Sequence, residues 1–251
     1  MKLNDNQIER YSRQIILKNI GPIGQKKILN SSVLVVGAGG LGSPVLFYLA
    51  ALGIGKIGIV DHDKVDISNL NRQILFDTKD IKKSKSKIAF LKLKKINPDI
   101  KIKFFKKKVD KKNIKNISKS YNILVDGSDN FNTKFLINDY CLESKKILIS
   151  ASTGKYDGHI FTFNFKEKNS PCLRCFFQIK PSNNLLNCDS EGITGPVSGI
   201  VGTIQANEVL KEILRIGESL CGQVLIINTL NLNFRKVKLK KRSSCICNKK
   251  K

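Results

Sequence analysis

The sequence predicts an α/β chain: a parallel sheet with helices on both faces, extended by antiparallel strands toward the C-terminus. Three observations predict it. Apolar runs alternate with helical patterns through the first 150 residues, as strand–helix–strand units do. The first of these runs ends in a glycine-rich turn, "VVGAGGLGSP" (35–44). Beyond Gly158 the pattern changes to period two, in "HIFTFNF", as in an antiparallel strand.

The elements follow in order. Ile8, Tyr11 and Ile15 stand at helical spacing, so one short amphipathic helix is expected within 4–19. "SVLVVGAGGLGSPVLFYLAALGIGKIGIVD" reads strand, glycine turn, helix, strand; its first run is continuously apolar, as suits a parallel strand covered on both faces. Residues 62–83 are polar and irregular. A Lys-rich helix runs from Ser84 and stops at Asn97-Pro98. "IKIKFF" and "YNILVD" are the third and fourth strands, a helix covers 131–144, and "KILISAS" is the fifth strand. Residues 166–192 read as loop, long enough to be functional. "GPVSGIVGTIQANEVLKEILRIG" is a helix with a closely packed start, and "QVLIIN" and "LNFRKVKLK" close the sheet as a pair. The length of 251 residues fits a single domain over 1–251, with a nucleotide-binding half (1–150) and a second half (151–251).

Composition narrows the function classes. There is no run of 18 apolar residues, so no membrane span is expected. The N-terminal "MKLNDNQIERYSRQ" has no apolar signal core, and a cytoplasmic protein with reduced thiols is expected. The net charge of +25 admits a nucleic-acid binder. The excess, however, is scattered Lys without interleaved aromatics, in a chain also rich in Ile and Asn, so it reads as compositional bias and no nucleic-acid partner is expected. That bias makes the few Arg informative. Arg13 and Arg72 sit in polar, motif-like stretches, where a planar fork suits phosphate.

The glycine turn carries the first chemistry. Gly37, Gly39 and Gly42 make G-x-G-x-x-G: a tight turn, a close backbone approach to phosphate, and helix-on-strand packing. The helix N-terminus adds partial positive charge. Asp61 ends the next strand, where it can meet ribose hydroxyls. To this point a dinucleotide and ATP are served equally. The following segment, "VDHDKVDISNLNRQ", separates them, because it is long and polar and offers Asn69, Arg72 and Gln73. Lys85 follows, and "DGSDN" sets Asp126, Asp129 and Asn130 at the end of the fourth strand. Cations beside a carboxylate suit phosphoryl chemistry, with Asp holding Mg²⁺.

"RYSRQIIL", "VLVVGAGGLGSP", "DHDKVDISNLNRQILF", "DGSDN", "PCLRC" and "GPVSGIVGTIQANEVLK", in that order, resemble the adenylyltransferases that activate ubiquitin-like sulfur carriers, over residues 8–247. The resemblance implies a Rossmann-like sheet extended by antiparallel strands, a homodimer, and ATP-dependent adenylation of a carrier's C-terminal glycine carboxylate. It implies an ATP site of Gly37, Gly39, Gly40, Gly42, Asp61, Ser68, Asn69, Leu70, Asn71, Arg72, Lys85, Asp129 and Asn130. Asp129 would hold Mg²⁺, and Arg13 would reach the partner protomer's ATP. Within the family "QILFDTKDI", "NPDI", "ISAS" and "GPVSGIVGT" are closest to the thiamine-pathway branch, and the molybdopterin branch is the alternative. A cysteine desulfurase or sulfurtransferase would then supply sulfur. A nicotinamide oxidoreductase is the reading from another class. Two departures stand out. Gly127 and Ser128 replace the family's usual Cys and Thr, a change expected to affect packing only. Ser84 replaces the Pro before the motif lysine, which leaves Lys83 and Lys87 as rivals to Lys85.

The cysteines divide. Cys172 and Cys175 (C-x-x-C) with Cys245 and Cys247 (C-x-C) can close a tetrahedral zinc site that staples the C-terminal strand to the body. The resembled family has such a zinc, usually from two C-x-x-C pairs. Cys188, alone in the polar "LLNCDSEGITGP", is the candidate nucleophile, the position where the family can link covalently to its carrier. Cys221 has no evident role. His62 and His159 lack partners at catalytic spacing and read as ordinary polar contacts.

Overall fold

The computed structural model describes residues 3–179, 181 and 192–249. Four strands run parallel: β1 (Ser32–Val36), β2 (Lys56–Val60), β3 (Lys101–Phe105) and β4 (Ile123–Asp126). β5 (Ile147–Gly154) joins β4 in parallel and turns back at once into antiparallel β6 (Asp157–Asn164), followed by β7 (Gln223–Asn228) and β8 (Asn233–Lys238). The result is one eight-stranded sheet in the order β3-β2-β1-β4-β5-β6-β7-β8. Parallel neighbours need a crossover, and these are helices: α4 (Gly42–Leu52), α5 (Lys85–Ile96), α6 (Ile114–Ser118) and α7 (Phe131–Glu143).

The two faces of the sheet follow the side-chain period of two. Val33, Val35, Ile57, Ile59, Ile123, Val125, Ile147 and Ile149 point to the layer of α4 and α5 and the long helix α9 (Gly195–Leu214). Leu34, Val36, Leu124 and Leu148 point to the other layer, with α7 and the aromatic stack Phe161, Phe163 and Phe165. β3 is one of the two edge strands, which explains its exposed Lys101 and Lys103 between half-buried Ile102 and Phe104. β6 does not alternate in burial as its sequence suggests. Ile160 and Thr162 are covered by α9, while Phe161 and Phe163 are covered by Phe176 and the opposite layer, so both faces are dry.

The N-terminus departs from expectation. In place of one helix there are α1 (Asp5–Arg10) and α2 (Ser12–Ile15), broken at Tyr11, then α3 (Gly21–Leu29), which no sequence signal had separated out. The break turns Tyr11 inward to 1% exposure, while Ile8 stays 47% exposed. Tyr11 lies against Gly53, whose left-handed φ of 86° ends α4; a Cβ there would stand 2.5 Å from the phenol oxygen. Asn97, at the end of α5, donates its side-chain N–H groups to Tyr11 Oη (2.9 Å) and the Ala50 carbonyl (2.8 Å). One fully buried amide therefore ties the N-terminal segment to two crossover helices. Short helices α8 (Leu173–Phe176) and α10 (Ile246–Lys249) carry Cys175 and Cys247, each helix beginning directly after the other cysteine of its pair. Among the described residues no helix is long and apolar enough to cross a membrane.

Asn97→Ala leaves two buried acceptors without donors. Each unmade bond costs about 1–3 kcal/mol, so denaturant unfolding is expected to show a clear loss of stability; a midpoint equal to wild type would refute this tie.

Candidate active site

The parallel strands end level with one another: Val36 pairs with both Val60 and Asp126, and Val60 with Phe105. A crevice opens where the chain order reverses, between β1 and β4, the place where open sheets of this kind take ligands. Its cavity of about 370 Å³ is lined by Gly37, Gly39, Gly40, Asp61, Arg72, Gln73, Lys85, Asp129 and Asn130, with Lys107, Lys108, Thr133 and Ser198 at its margins.

The glycines have separate jobs. Gly37 takes φ 91°, and a Cβ there would come within 2.7 Å of the Gly127 carbonyl oxygen. Gly42 opens α4 behind the turn rather than lining the cleft; its Cβ would fall 1.9 Å from the Gly37 carbonyl oxygen. Gly40 faces the ligand space; a notional Cβ would stand 2.9 Å from the Ser198 hydroxyl, 3.2 Å from Ser198 Cβ and 3.7 Å from Arg72 Cγ.

Charged side chains close on this turn. Asp61 is buried, and its carboxylate accepts the Ala38 N–H (2.8 Å) and the Asp63 N–H (2.8 Å), so it braces the glycine turn from within. Burial pushes the Asp61 carboxyl above its ordinary value, against the pull of these two donors and of the Lys85 charge. Lys85 is buried at the start of α5, 3.5 Å from Asp63, whereas Lys83 and Lys87 are exposed and away from the cleft. Arg72 is half-buried and donates to the Ser68 carbonyl (2.9 Å) and to Asn71 Oδ1 (3.0 Å). Asp129 is exposed in the cleft and accepts from Asn130 (3.2 Å), which in turn caps α7 through the Thr133 N–H (2.9 Å).

Ser68, Asn69, Leu70 and Asn71 lie outside the lining. They build the turn that presents Arg72: Asp66 caps it through the Ser68 N–H (2.9 Å) and hydroxyl (2.7 Å), and the Asn69 carbonyl accepts from the backbones of Arg72 and Gln73. Arg13 is exposed on α2 and is not part of this chain's cleft. Cys188 lies outside the described residues. Ser128 does more than pack: its N–H (3.0 Å) and hydroxyl (2.5 Å) both donate to Asp126. His62 stands 3.3 Å from Asp63, an ordinary polar contact; His159 sits in β6, where burial holds its pKa low.

Gln73, one of the residues offered by the polar segment, is only 5% exposed and lines the cleft with an Oε1 that has no partner among the described residues. Residue-by-residue reading missed one feature. Lys134 is buried and paired with fully buried Asp126 at 3.0 Å. The available signal for Lys134 was a charged residue between Phe131 and Phe135 on the apolar stripe of α7.

The four paired cysteines do converge. Cys172, Cys175, Cys245 and Cys247 are all buried, form no disulfide, and place their sulfurs within 4.8 Å of one another. The Cys172–Cys245 and Cys175–Cys247 separations are 3.5 Å each. A tetrahedron of thiolates around Zn²⁺ at about 2.3 Å has edges of about 3.8 Å, so the shortened C-x-C pair still fits. Burial and then the neighbouring sulfurs push the Cys172 thiol well up, and burial above all pushes Cys247 to about 12. Cys175 lies below its ordinary value, because N–H groups of Arg242 and Cys172 outweigh burial. Next to the cluster, Arg174 forks onto Asp139 (2.8 and 2.7 Å).

Comparison with known proteins sets this arrangement in context. Residues 11–248 match the ThiF family. A sulfur carrier protein adenylyltransferase of Thermus thermophilus is 36% identical over 249 residues, covering 98% of this chain and 92% of that protein. A probable molybdopterin-synthase adenylyltransferase of Porphyra purpurea is 44% identical over 232 residues, and an adenylyltransferase and sulfurtransferase of Drosophila willistoni 39% over 247. This chain covers 92% and 97% of itself in those two matches but spans only 60% and 54% of their lengths. Among solved structures, E. coli MccB with ATP superposes with a TM-score of 0.83 at 24% identity, covering 96% of this chain and 74% of that one, which shows the shared fold.

Gly42→Ala would drive a methyl group into a backbone carbonyl, while Gly40→Ala meets only side chains, Ser198 and, at ordinary contact distance, Arg72. Thermal unfolding is expected to show Gly42→Ala much less stable than wild type and Gly40→Ala close to it. Equal melting temperatures for the two would disprove the division of labour between these glycines.

Proposed function

The chain belongs to the ThiF family, and from that premise we propose that it is an adenylyltransferase that uses ATP to activate the C-terminal glycine carboxylate of a small ubiquitin-like sulfur carrier protein. The observation that carries the reading is the meeting of Arg72, Lys85 and Asp129 at one glycine turn, at the switch point of the sheet.

The chemistry follows from these groups. Backbone N–H groups of the 37–42 turn and the N-terminus of α4 receive phosphate oxygens. Asp61 holds the turn and lies where ribose hydroxyls can reach its remaining lone pairs. The carrier's carboxylate, already ionised, attacks the α-phosphorus. A new P–O bond forms, the bond to the β-phosphate oxygen breaks, its electron pair leaves with pyrophosphate, and an acyl-adenylate remains. No proton moves, which is why the cleft needs no general base. Charge builds on the leaving phosphates, and Arg72 and Lys85 are the groups at hand to stabilise it. Catalysis is thus mainly positioning and preorganised charge. Asp129 offers an exposed hard oxygen donor in the cleft, as Mg²⁺ bound to phosphates requires; when bound, that ion offsets charge on the departing pyrophosphate.

Other parts of the reading concern partners. Arg13 is exposed, next to exposed Ile16 and Leu17, on a surface suited to a second copy of the chain, so that each protomer lends Arg13 to the other's ATP in a homodimer. The Cys188 thiolate attacks the acyl-adenylate carbonyl and forms a thioester as AMP leaves; alternatively the terminal sulfur of a persulfide carried by a desulfurase or sulfurtransferase displaces AMP, and Cys188 then displaces the donor thiolate, leaving the carrier on Cys188 through an acyl persulfide. The four clustered thiols hold Zn²⁺ and fasten the C-terminal segment. Free thiols and a persulfide-bearing step suit a cytoplasmic setting. The sequence motifs favour the thiamine-pathway carrier; the 44% identity to a probable molybdopterin-synthase adenylyltransferase is the specific observation for the molybdopterin carrier as second reading.

Pyrophosphate–ATP exchange, run separately with each carrier and Mg²⁺, is expected with the thiamine carrier. Exchange only with the other carrier reverses the assignment, and exchange with neither refutes adenylation. Metal analysis is expected to find one zinc per chain; stripping it with a chelator, or making Cys245→Ser, lowers the melting temperature. A metal-free protein that melts as the untreated one does would argue against the staple.

A further inference from the structure

Asp126 ends β4 with no exposed surface, and its carboxylate joins three other segments. Oδ2 accepts the Lys134 ammonium of α7 (3.0 Å) and the Ser150 hydroxyl of β5 (2.6 Å). Oδ1 accepts the N–H and the hydroxyl of Ser128. Lys134, 2% exposed, also donates to the Ala151 carbonyl (2.5 Å), and Gln205 of α9 donates to the Asp126 carbonyl (3.0 Å). Taking both charges out of water is expensive, and an apolar pair of similar volume commonly serves stability as well or better. Stability alone is therefore a poor reason for this pair.

Its location supplies a better one. The loop that Asp126 holds through Ser128 runs on to Asp129 and Asn130 in the cleft. The same loop presses on the glycine turn: the Gly127 N–H donates to the Val36 carbonyl (2.9 Å), and the Gly127 carbonyl occupies the space a side chain at Gly37 would need. Lys134 itself does not line the cleft.

We propose that the buried Asp126–Lys134 pair is a positioning device that sets the Asp129 carboxylate against the phosphate cradle. The Lys134 ammonium anchors Asp126 Oδ2 to α7 and to the Ala151 carbonyl, which leaves Oδ1 aimed at the Ser128 N–H and hydroxyl. Without the ammonium that anchor is gone, and the loop that carries Asp129 loses its fixed attachment. The proposal rests on the adenylation reading for the task of Asp129, which is to carry Mg²⁺ on the nucleotide.

The test is calorimetric titration of the full chain with ATP, with and without Mg²⁺, alongside thermal unfolding. Lys134→Met and Ser128→Ala are expected to weaken Mg²⁺–ATP binding by about tenfold, as loss of a partner behind a metal ligand does, with metal-free ATP binding unchanged. Lys134→Arg is expected to restore the wild-type value. Ser150→Ala, which removes an equivalent hydroxyl from the side of Asp126 away from the loop, is expected to lower the melting temperature without changing the Mg²⁺ effect. If Lys134→Met does not fold, the contrast between Ser128→Ala and Ser150→Ala decides. Equal losses with and without Mg²⁺, or the same binding behaviour for the two serine variants, overturn the proposal. A wild-type chain that shows no Mg²⁺-dependent ATP binding overturns the adenylation reading first, and is told apart by needing no variant.

Discussion

The contact between two stretches of backbone governs this structure: the turn after β1 and the loop after β4, with the Gly127 carbonyl lodged where a side chain at Gly37 would stand. Neither stretch has a side chain at the point of contact, so the two can share one space. The turn's own path has the same requirement, because the Gly37 carbonyl fills the place of a Gly42 side chain. From this close approach the rest of the cleft follows. Asp61 fixes the turn from one side through the Ala38 N–H, and Asp126 fixes the loop from the other through Ser128. Both carboxylates are buried, and both have their charge spread over hydrogen-bond donors rather than over solvent.

Charge is used in two ways in this chain. Most of the +25 excess lies on solvated Lys and acts only at long range. A small set is made specific: Lys85 and Lys134 are buried beside Asp63 and on Asp126, and half-buried Arg72 is propped by Ser68 and Asn71. The propped guanidinium shows why an irregular segment precedes α5. The turn at 66–71 spends its polar atoms on itself, and in doing so holds Arg72 at the cleft's rim.

The second half of the chain completes the first through a single sheet. β5 is parallel to β4 and antiparallel to β6, so the change of pattern near residue 150 happens within one strand, without a boundary in space. The C-terminal segment comes back to the 172–175 turn and leaves four thiols in a dry cluster. Four thiols at this spacing are a donor set of the kind that Zn²⁺ takes.

Much of this was legible in the residues alone. The strand–turn–helix start, the parallel order of the early strands and the meeting of the cysteine pairs follow from local patterns: apolar runs, glycine spacing and C-x-x-C geometry. What the sequence could not reveal depended on distant partners. Tyr11 breaks the first helix because Asn97 waits for it, Ser68 and Asn71 support Arg72 through hydrogen bonds, and Lys134 is inside because Asp126 is there to receive it. Local rules report what a segment can do with its own atoms and with water. A buried polar group is stable only beside the group that satisfies it, and that neighbour exists only once the chain has folded.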